Sequence, residues 1–206
     1  MIPLSKQGTK NFPYRALFLS LALATSDFVQ AQAVTVLNNS RDGRDCYFNA
    51  RQASQRPDMG STVSEAPCTR ALDSPDHQRD QAALLVNRGI ILTAQQQYQA
   101  AFDDYKQALE LKPNLPEALL CLGNLYFMAE RFDKALALYD QSLANGLRQD
   151  SAAFINRGMV FERQGKLAEA EVEYRRALEK RPDWTIAQQK LATLLQKRSK
   201  SPTQTD

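Results

Sequence analysis

The feature that most constrains this 206-residue chain is an internal repeat. Gly89, Gly123 and Gly158 stand in register, and so do Ala101, Ala135 and Ala170, and Tyr105, Tyr139 and Tyr174. Tyr98, Phe132 and Leu167 complete the match. The first offset is 34 residues (89 to 123) and the second is 35 (123 to 158). The tripeptide Asn87-Arg88-Gly89 returns whole at Asn156-Arg157-Gly158 because the same slot returns two units later. A fixed period of this size is the mark of stacked helical hairpins, each too small to bury its apolar face alone.

Each unit reads as two helices. Leu85, Gly89 and Leu92 fall at i, i+4 and i+7 on one face of a first helix, and Ala101, Tyr105 and Ala108 do the same on a second. Gly89 has no side chain and Ala101 only a methyl, so the two backbones can come close, with Tyr98 and Tyr105 filling the space beside them. Pro113 disfavours helix at Lys112 and ends the unit. Asn114 and Glu117 form an N-x-x-E pattern suited to capping the next helix.

These units resemble the tetratricopeptide repeat. The family pattern is carried by Leu85, Gly89, Leu92, Ala101, Tyr105, Ala108 and Pro113 in residues 82–115. Leu119, Leu122, Gly123, Tyr126, Ala135 and Tyr139 carry it in 116–150, and Phe154, Gly158, Phe161, Ala170, Tyr174, Ala177 and Pro182 in 151–184. The resemblance covers about half of the chain and implies an all-α, right-handed solenoid of three repeats. Residues 185–198 are expected to form the capping helix, with Ile186, Leu191, Leu194 and Leu195 as its apolar stripe, and 199–206 a disordered tail. The second repeat departs from the pattern at Ser142 and Leu147, and its second helix is expected to stop at Asn145-Gly146. Arg88 and Arg157 replace the family's usual Leu ahead of the glycine, which implies packed stems with charges reaching water.

Residues 34–81 are expected to be a degenerate helical hairpin and linker. If Ala71 takes the slot of Ala108, Cys68 takes that of Tyr105 and Cys46 lies near the start of the partner helix. On that alignment a Cys46–Cys68 disulfide ties the hairpin; two unpaired thiols in a loose arm are the alternative. Cys121, within an apolar helical run, is expected to be a buried small hydrophobe.

Residues 1–33 read as an export signal. Lys6, Lys10 and Arg15 precede the apolar run Ala16–Ala24, and a polar stretch leads to Ala31-Gln32-Ala33, with cleavage expected after Ala33. Nine apolar residues fall short of the ~20 needed to span a bilayer. A periplasmic or secreted location follows, with no membrane span in the mature chain. The net charge of +3 falls to +1 without this segment (23 basic, 22 acidic), so the mature chain offers no electrostatic footprint for nucleic acid.

No catalytic, metal or cofactor chemistry is legible. His77, between Asp and Arg in a polar stretch, reads as a solvated loop residue. Asp103 and Asp104 are adjacent on a helix, diverge by ~100° and read as a solvated face. No CxxC or HExxH motif occurs. What remains is a protein-interaction module. The family's groove slots fall on Val86, Asn87 and Ile90, on Leu120, Cys121, Asn124, Phe127 and Met128, and on Ile155, Asn156, Met159 and Arg163. An asparagine amide offers a donor and an acceptor, so it can pair with any extended backbone. For each asparagine a structural bond to the neighbouring helix stands as an equal reading, and ordinary inter-repeat core stands beside groove contact for the apolar residues. Val86, Ala152 and Asn156 occupy slots where carboxylate-clamping members of the family carry Lys or Arg, so that clamp is absent. The expected role is a non-catalytic scaffold or adaptor of the cell envelope that binds a protein or peptide segment, the alternative being a structural or self-associating subunit.

Overall fold

The computed structural model describes residues 33–35, 40–56 and 62–200. Among them are nine α-helices and no strand. They are α1 (Arg41–Gln55), α2 (Ala66–Asp73), α3 (Gln81–Ala94), α4 (Tyr98–Leu111), α5 (Pro116–Met128), α6 (Phe132–Ala144), α7 (Asp150–Arg163), α8 (Leu167–Lys180) and α9 (Thr185–Lys200), with a 3-10 stretch at Pro75–Asp80 before α3. Three hairpins, α3–α4, α5–α6 and α7–α8, stack in sequence, α1 packs on both α2 and α3, and α9 closes the far end on α8. The export signal expected over residues 1–33 lies, apart from Ala33, outside the described residues.

One close approach repeats in all three hairpins. A Cβ added at Gly89 would stand 2.5 Å from Tyr105 Cε1, and one at Gly123 would stand 2.6 Å from Tyr139 Cε1; Gly158 and Tyr174 are related in the same way. The glycine therefore makes room for the tyrosine ring 16 residues later, and the alanines at 101, 135 and 170 are fully buried beside it. Each buried ring must satisfy its hydroxyl. Tyr105 pairs with Thr93 Oγ1 at 3.1 Å, Tyr139 donates to Asn124 Oδ1 at 3.0 Å, and Tyr174 donates to Glu162 Oε2 at 2.8 Å. Burial pushes the Tyr105 and Tyr139 hydroxyls well above the usual phenol range.

The turns between the two helices of each repeat need one left-handed residue: Gln96 (φ 62°), Glu130 (φ 55°) and Gly165 (φ 77°) hold equivalent places. Between repeats, α6 ends at Ala144 and Gly146 follows at φ 78°, the conformation that glycine adopts most readily. Ser142 Oγ donates to the Pro116 carbonyl at 2.7 Å, so the departure from alanine there ties the second helix to the first. Leu147 is buried where the family pattern has proline.

Several expectations are corrected. Asn114 does not cap α5: the cap residue is Leu115, and Pro116 with its preset φ opens the helix. The capping helix runs to Lys200, two residues into the stretch expected to be a tail, while 201–206 lie outside the described residues. Its buried positions are Ala187 and Leu194, and Ile186 and Leu191 pack partly buried beside them, whereas Leu195 is 40% exposed and stands outside the apolar stripe. Arg198 pairs with Glu171 and helps hold α9 against α8.

Arg88 and Arg157 do not carry their charges out to water. Arg88 forms a two-pronged bond to Asp104, Nε to Oδ2 at 2.8 Å and Nη2 to Oδ1 at 2.7 Å. Asp104 is thus buried and paired, not part of a solvated face. Arg157 lies 3.2 Å from Asp140 and 3.5 Å from Glu173. The spacing is again 16 residues, 88 to 104 and 157 to 173; in the second repeat the same slots hold Leu122 and Leu138. One position pair is an ion pair in two repeats and an apolar contact in the third.

Candidate binding face

The N-terminal hairpin completes one end of the stack. Cys46 and Cys68 are disulfide-bonded and fully buried, with Ala50, Ala53 and Ala71 around them. These small residues bury little apolar surface, so the covalent tie carries much of this hairpin's cohesion. Ser40 caps α1, its Oγ accepting from Gly43 N–H at 3.0 Å. Gln95, at the end of α3, donates to the Val63 carbonyl and to Glu65 Oε2, which binds the approach to α2 onto the first repeat. That bond to Gln95 is the main reason the Glu65 carboxyl sits below its usual range.

His77 is 2% exposed, which overturns the reading of a solvated loop residue. Ser74 caps the 3-10 stretch begun by Pro75, and the turn carries the imidazole inward. There its Nε2 meets Ser40 Oγ at 2.7 Å, while Nδ1 lies 3.9 Å from Asp80 Oδ2. Serine, histidine and aspartate in that order bring a nucleophilic triad to mind. The geometry is different: the imidazole is buried, the histidine–aspartate distance is too long for a hydrogen bond, and the serine oxygen is committed to a helix cap. The contact joins the start of α1 to the entry of α3. Among the described residues no group of three or more His, Cys, Asp or Glu side chains is placed to hold a metal ion, and no helix is long and apolar enough to cross a membrane.

The slots singled out in the sequence lie on α3, α5 and α7, and the structure divides them. Ile90 and Met128 belong to a core cluster shared with the N-terminal hairpin, and Leu120, Phe127 and Met159 to a second cluster around the later repeats. Phe127 packs against Phe132, ring centroids 6.0 Å apart. Cys121 is buried and takes no part in the disulfide. Asn156 Nδ2 donates to Asn124 Oδ1 at 2.7 Å, the same oxygen that takes the Tyr139 hydroxyl, so these two asparagines stitch the second repeat to the third. Arg163 reaches back to Glu130 at 2.7 Å and is half-exposed. Asn87 alone among the three asparagines pairs with a main chain. Its Oδ1 accepts from Val34 N–H at 2.7 Å and its Nδ2 donates to the Val34 carbonyl at 2.8 Å.

Beside this contact lies a cleft of about 570 Å³, lined by Ala33, Val34 and Thr35, by Tyr47, Arg51, Ser54 and Gln55 of α1, by Glu117 of α5, and by Arg148 and Gln149 before α7. Residues from the N-terminal hairpin, from the start of α5 and from the entry to the last repeat face one space, so this side of the stack is concave. Sequence reasoning missed its polar lining, because Tyr47, Arg51 and Arg148 lie outside the repeat slots from which the groove was inferred.

Two family descriptions match the chain, "TPR repeat" over residues 89–130 and "Tetratricopeptide repeat" over 120–184. The matched stretches contain the glycine–tyrosine approach of all three hairpins. Residues 89–184 are tetratricopeptide repeats. Among curated proteins none matches the sequence. Among solved structures, it is similar to the first TPR domain of human RPAP3, with 26% identity and a TM-score of 0.54, over 58% of this chain and 94% of that one. The first TPR of Spaghetti (RPAP3), bound to the HSP90 peptide SRMEEVD, is similar to the same extent, with 26% identity and a TM-score of 0.53 over 58% and 94%. PilF of Pseudomonas aeruginosa shares the fold, with 17% identity and a TM-score of 0.62 over 78% of this tetratricopeptide-repeat chain and 72% of its own.

Proposed function

We propose that this tetratricopeptide-repeat protein is an exported, non-catalytic interaction module of the cell envelope that holds an extended segment of a partner protein on its concave face. The observation that carries the reading is the pairing of Asn87 with both main-chain groups of Val34, a contact indifferent to side-chain identity. The neighbouring cleft supports it with Arg51, Arg148 and Glu117, which give polar side chains of such a segment charged groups to meet. The peptide seen on the RPAP3 neighbour shows what a related fold accommodates. Here Val86, Ala152 and Asn156 stand where the carboxylate-clamping members carry cations, so a different segment chemistry is expected.

Photo-crosslinkers placed one at a time at Tyr47, Arg51 and Arg148, and for comparison at Lys106 and Val172 on second helices, test this in the cell. Adducts from the cleft positions to one or a few envelope proteins are expected. A second reading, a self-associating structural subunit, draws on Phe48, which is 57% exposed on α1 beside Tyr47, and on the half-exposed Val172 of α8. Adducts from Val172 alone, or between identical chains, would favour that reading.

A further inference from the structure

Residue 34 is joined to α3 across 53 positions of sequence by two short hydrogen bonds. Donor and acceptor of one residue pair with donor and acceptor of one amide, as a neighbouring strand would pair them. Any extended residue other than proline presents the same two groups. Ala33 and Val34 are only partly buried against the first core cluster, and Thr35 is exposed. The same three residues form a wall of the 570 Å³ cleft. The hold on this segment therefore rests chiefly on main-chain bonds that a different chain could supply.

We propose that the segment at Val34 is a built-in, exchangeable occupant of the concave face: it fills the Asn87 slot in the free chain, and a partner's extended segment binds by taking over those two hydrogen bonds. This rests on the peptide-holding function proposed above and adds how that site is regulated. An intramolecular occupant acts at an effective concentration of order millimolar, so weak partner segments are excluded and only those with further contacts in the cleft succeed. Partner affinity is reduced by the fraction of chains in which the slot is closed. The contacts that a successful segment adds are those to Tyr47, Arg51, Glu117 and Arg148, which residues 33–35 line the cleft with but do not fill.

The test places one nitroxide in the full chain at Thr35→Cys, the only reactive thiol there, since Cys46 and Cys68 are bonded and Cys121 is buried. The expected spectrum is that of a restricted label. Asn87→Ala is expected to give a mobile label with unchanged circular dichroism. A blocked synthetic peptide of residues 31–37, added at millimolar concentration, is expected to free the label progressively in the chain that retains Asn87. Should Asn87→Ala lose its helical signal, the peptide titration decides alone. A label that stays restricted in a folded Asn87→Ala chain, or one that the peptide does not release, overturns the exchange. Either result leaves the partner-binding reading to the crosslinking outcome, which does not depend on residue 35.

Discussion

A glycine that accepts a tyrosine ring is the smallest unit on which this fold depends. Gly89→Ala would push a methyl into the Tyr105 ring, and because that ring is fully buried it has no free direction to move. Urea unfolding is expected to show a loss of about 1–3 kcal/mol, the usual cost of overpacking. The opposite sign is expected at Gln96, which holds a left-handed conformation that its counterpart Gly165 adopts without cost. Gln96→Gly should stabilise by about 1 kcal/mol in the same assay. Glu173 gives a pH-dependent case. Its carboxyl is raised above the ordinary value of 4.5 because burial outweighs the attraction of Arg157 and Arg176, and one carboxylate oxygen has no hydrogen-bond partner. A raised carboxyl favours the folded state when protonated. Its contribution is fully present below the unfolded value and is lost as pH rises through the folded one. Glu173→Gln escapes that loss, so its stability relative to the parent chain should improve as pH rises from the unfolded value through the raised folded one; a difference that stays constant over that rise would contradict the assignment. The glycine and tyrosine roles were legible from register alone, whereas the hydroxyl partners were not, since Thr93 and Glu162 share a slot but not a chemistry and Asn124 stands in a different slot.

At the scale of elements, the pair slots 16 residues apart show how one contact can be built two ways. Arg88 and Asp104 join α3 to α4 through charge, and Leu122 and Leu138 occupy the equivalent places in α5 and α6. Asp104→Ala strands a half-buried guanidinium and is expected to cost about 1–3 kcal/mol. Replacing both Arg88 and Asp104 by leucine, the arrangement of the second repeat, is expected to be neutral or stabilising. A double-mutant cycle in denaturant measures the coupling. The sequence contained this signal, because Arg-Asp, Leu-Leu and Arg-Glu alternate at fixed spacing. Reading Asp104 against its neighbour Asp103 rather than against Arg88 hid it. His77 escaped for a different reason: a polar neighbourhood in sequence says nothing about a 3-10 turn that folds one residue of it inward onto Ser40. The disulfide is the other tie between elements. It closes 22 residues in a hairpin whose core is mostly alanine, and its reduction is expected to cost about 3 kcal/mol, read as a lower unfolding midpoint in reductant.

Over the whole molecule, the three hairpins stack in sequence, the N-terminal hairpin and α9 close the ends, and residues 33–35, α1, the start of α5 and the entry to α7 face one concave space. The period of the sequence was enough to imply that architecture. It was not enough to sort the face, because slots equivalent by repeat are not equivalent by surroundings. Asn124 and Asn156 find each other across a repeat boundary, while Asn87, in the first repeat, has no such partner upstream and is left to a main chain. Asn87 is thus the residue on which a reading of extended backbone rests. The most direct measurement takes the partner segment identified by crosslinking, as a synthetic peptide, and titrates it against two Val34→Pro chains, one retaining Asn87 and one carrying Asn87→Ala, so that the chain's own segment, lacking its N–H donor, does not compete in either. Loss of two hydrogen bonds to a buried amide predicts binding weakened by about tenfold or more in the variant, with the helical signal unchanged. Equal affinity for the two chains would show that the concave face does not read main chain at this position.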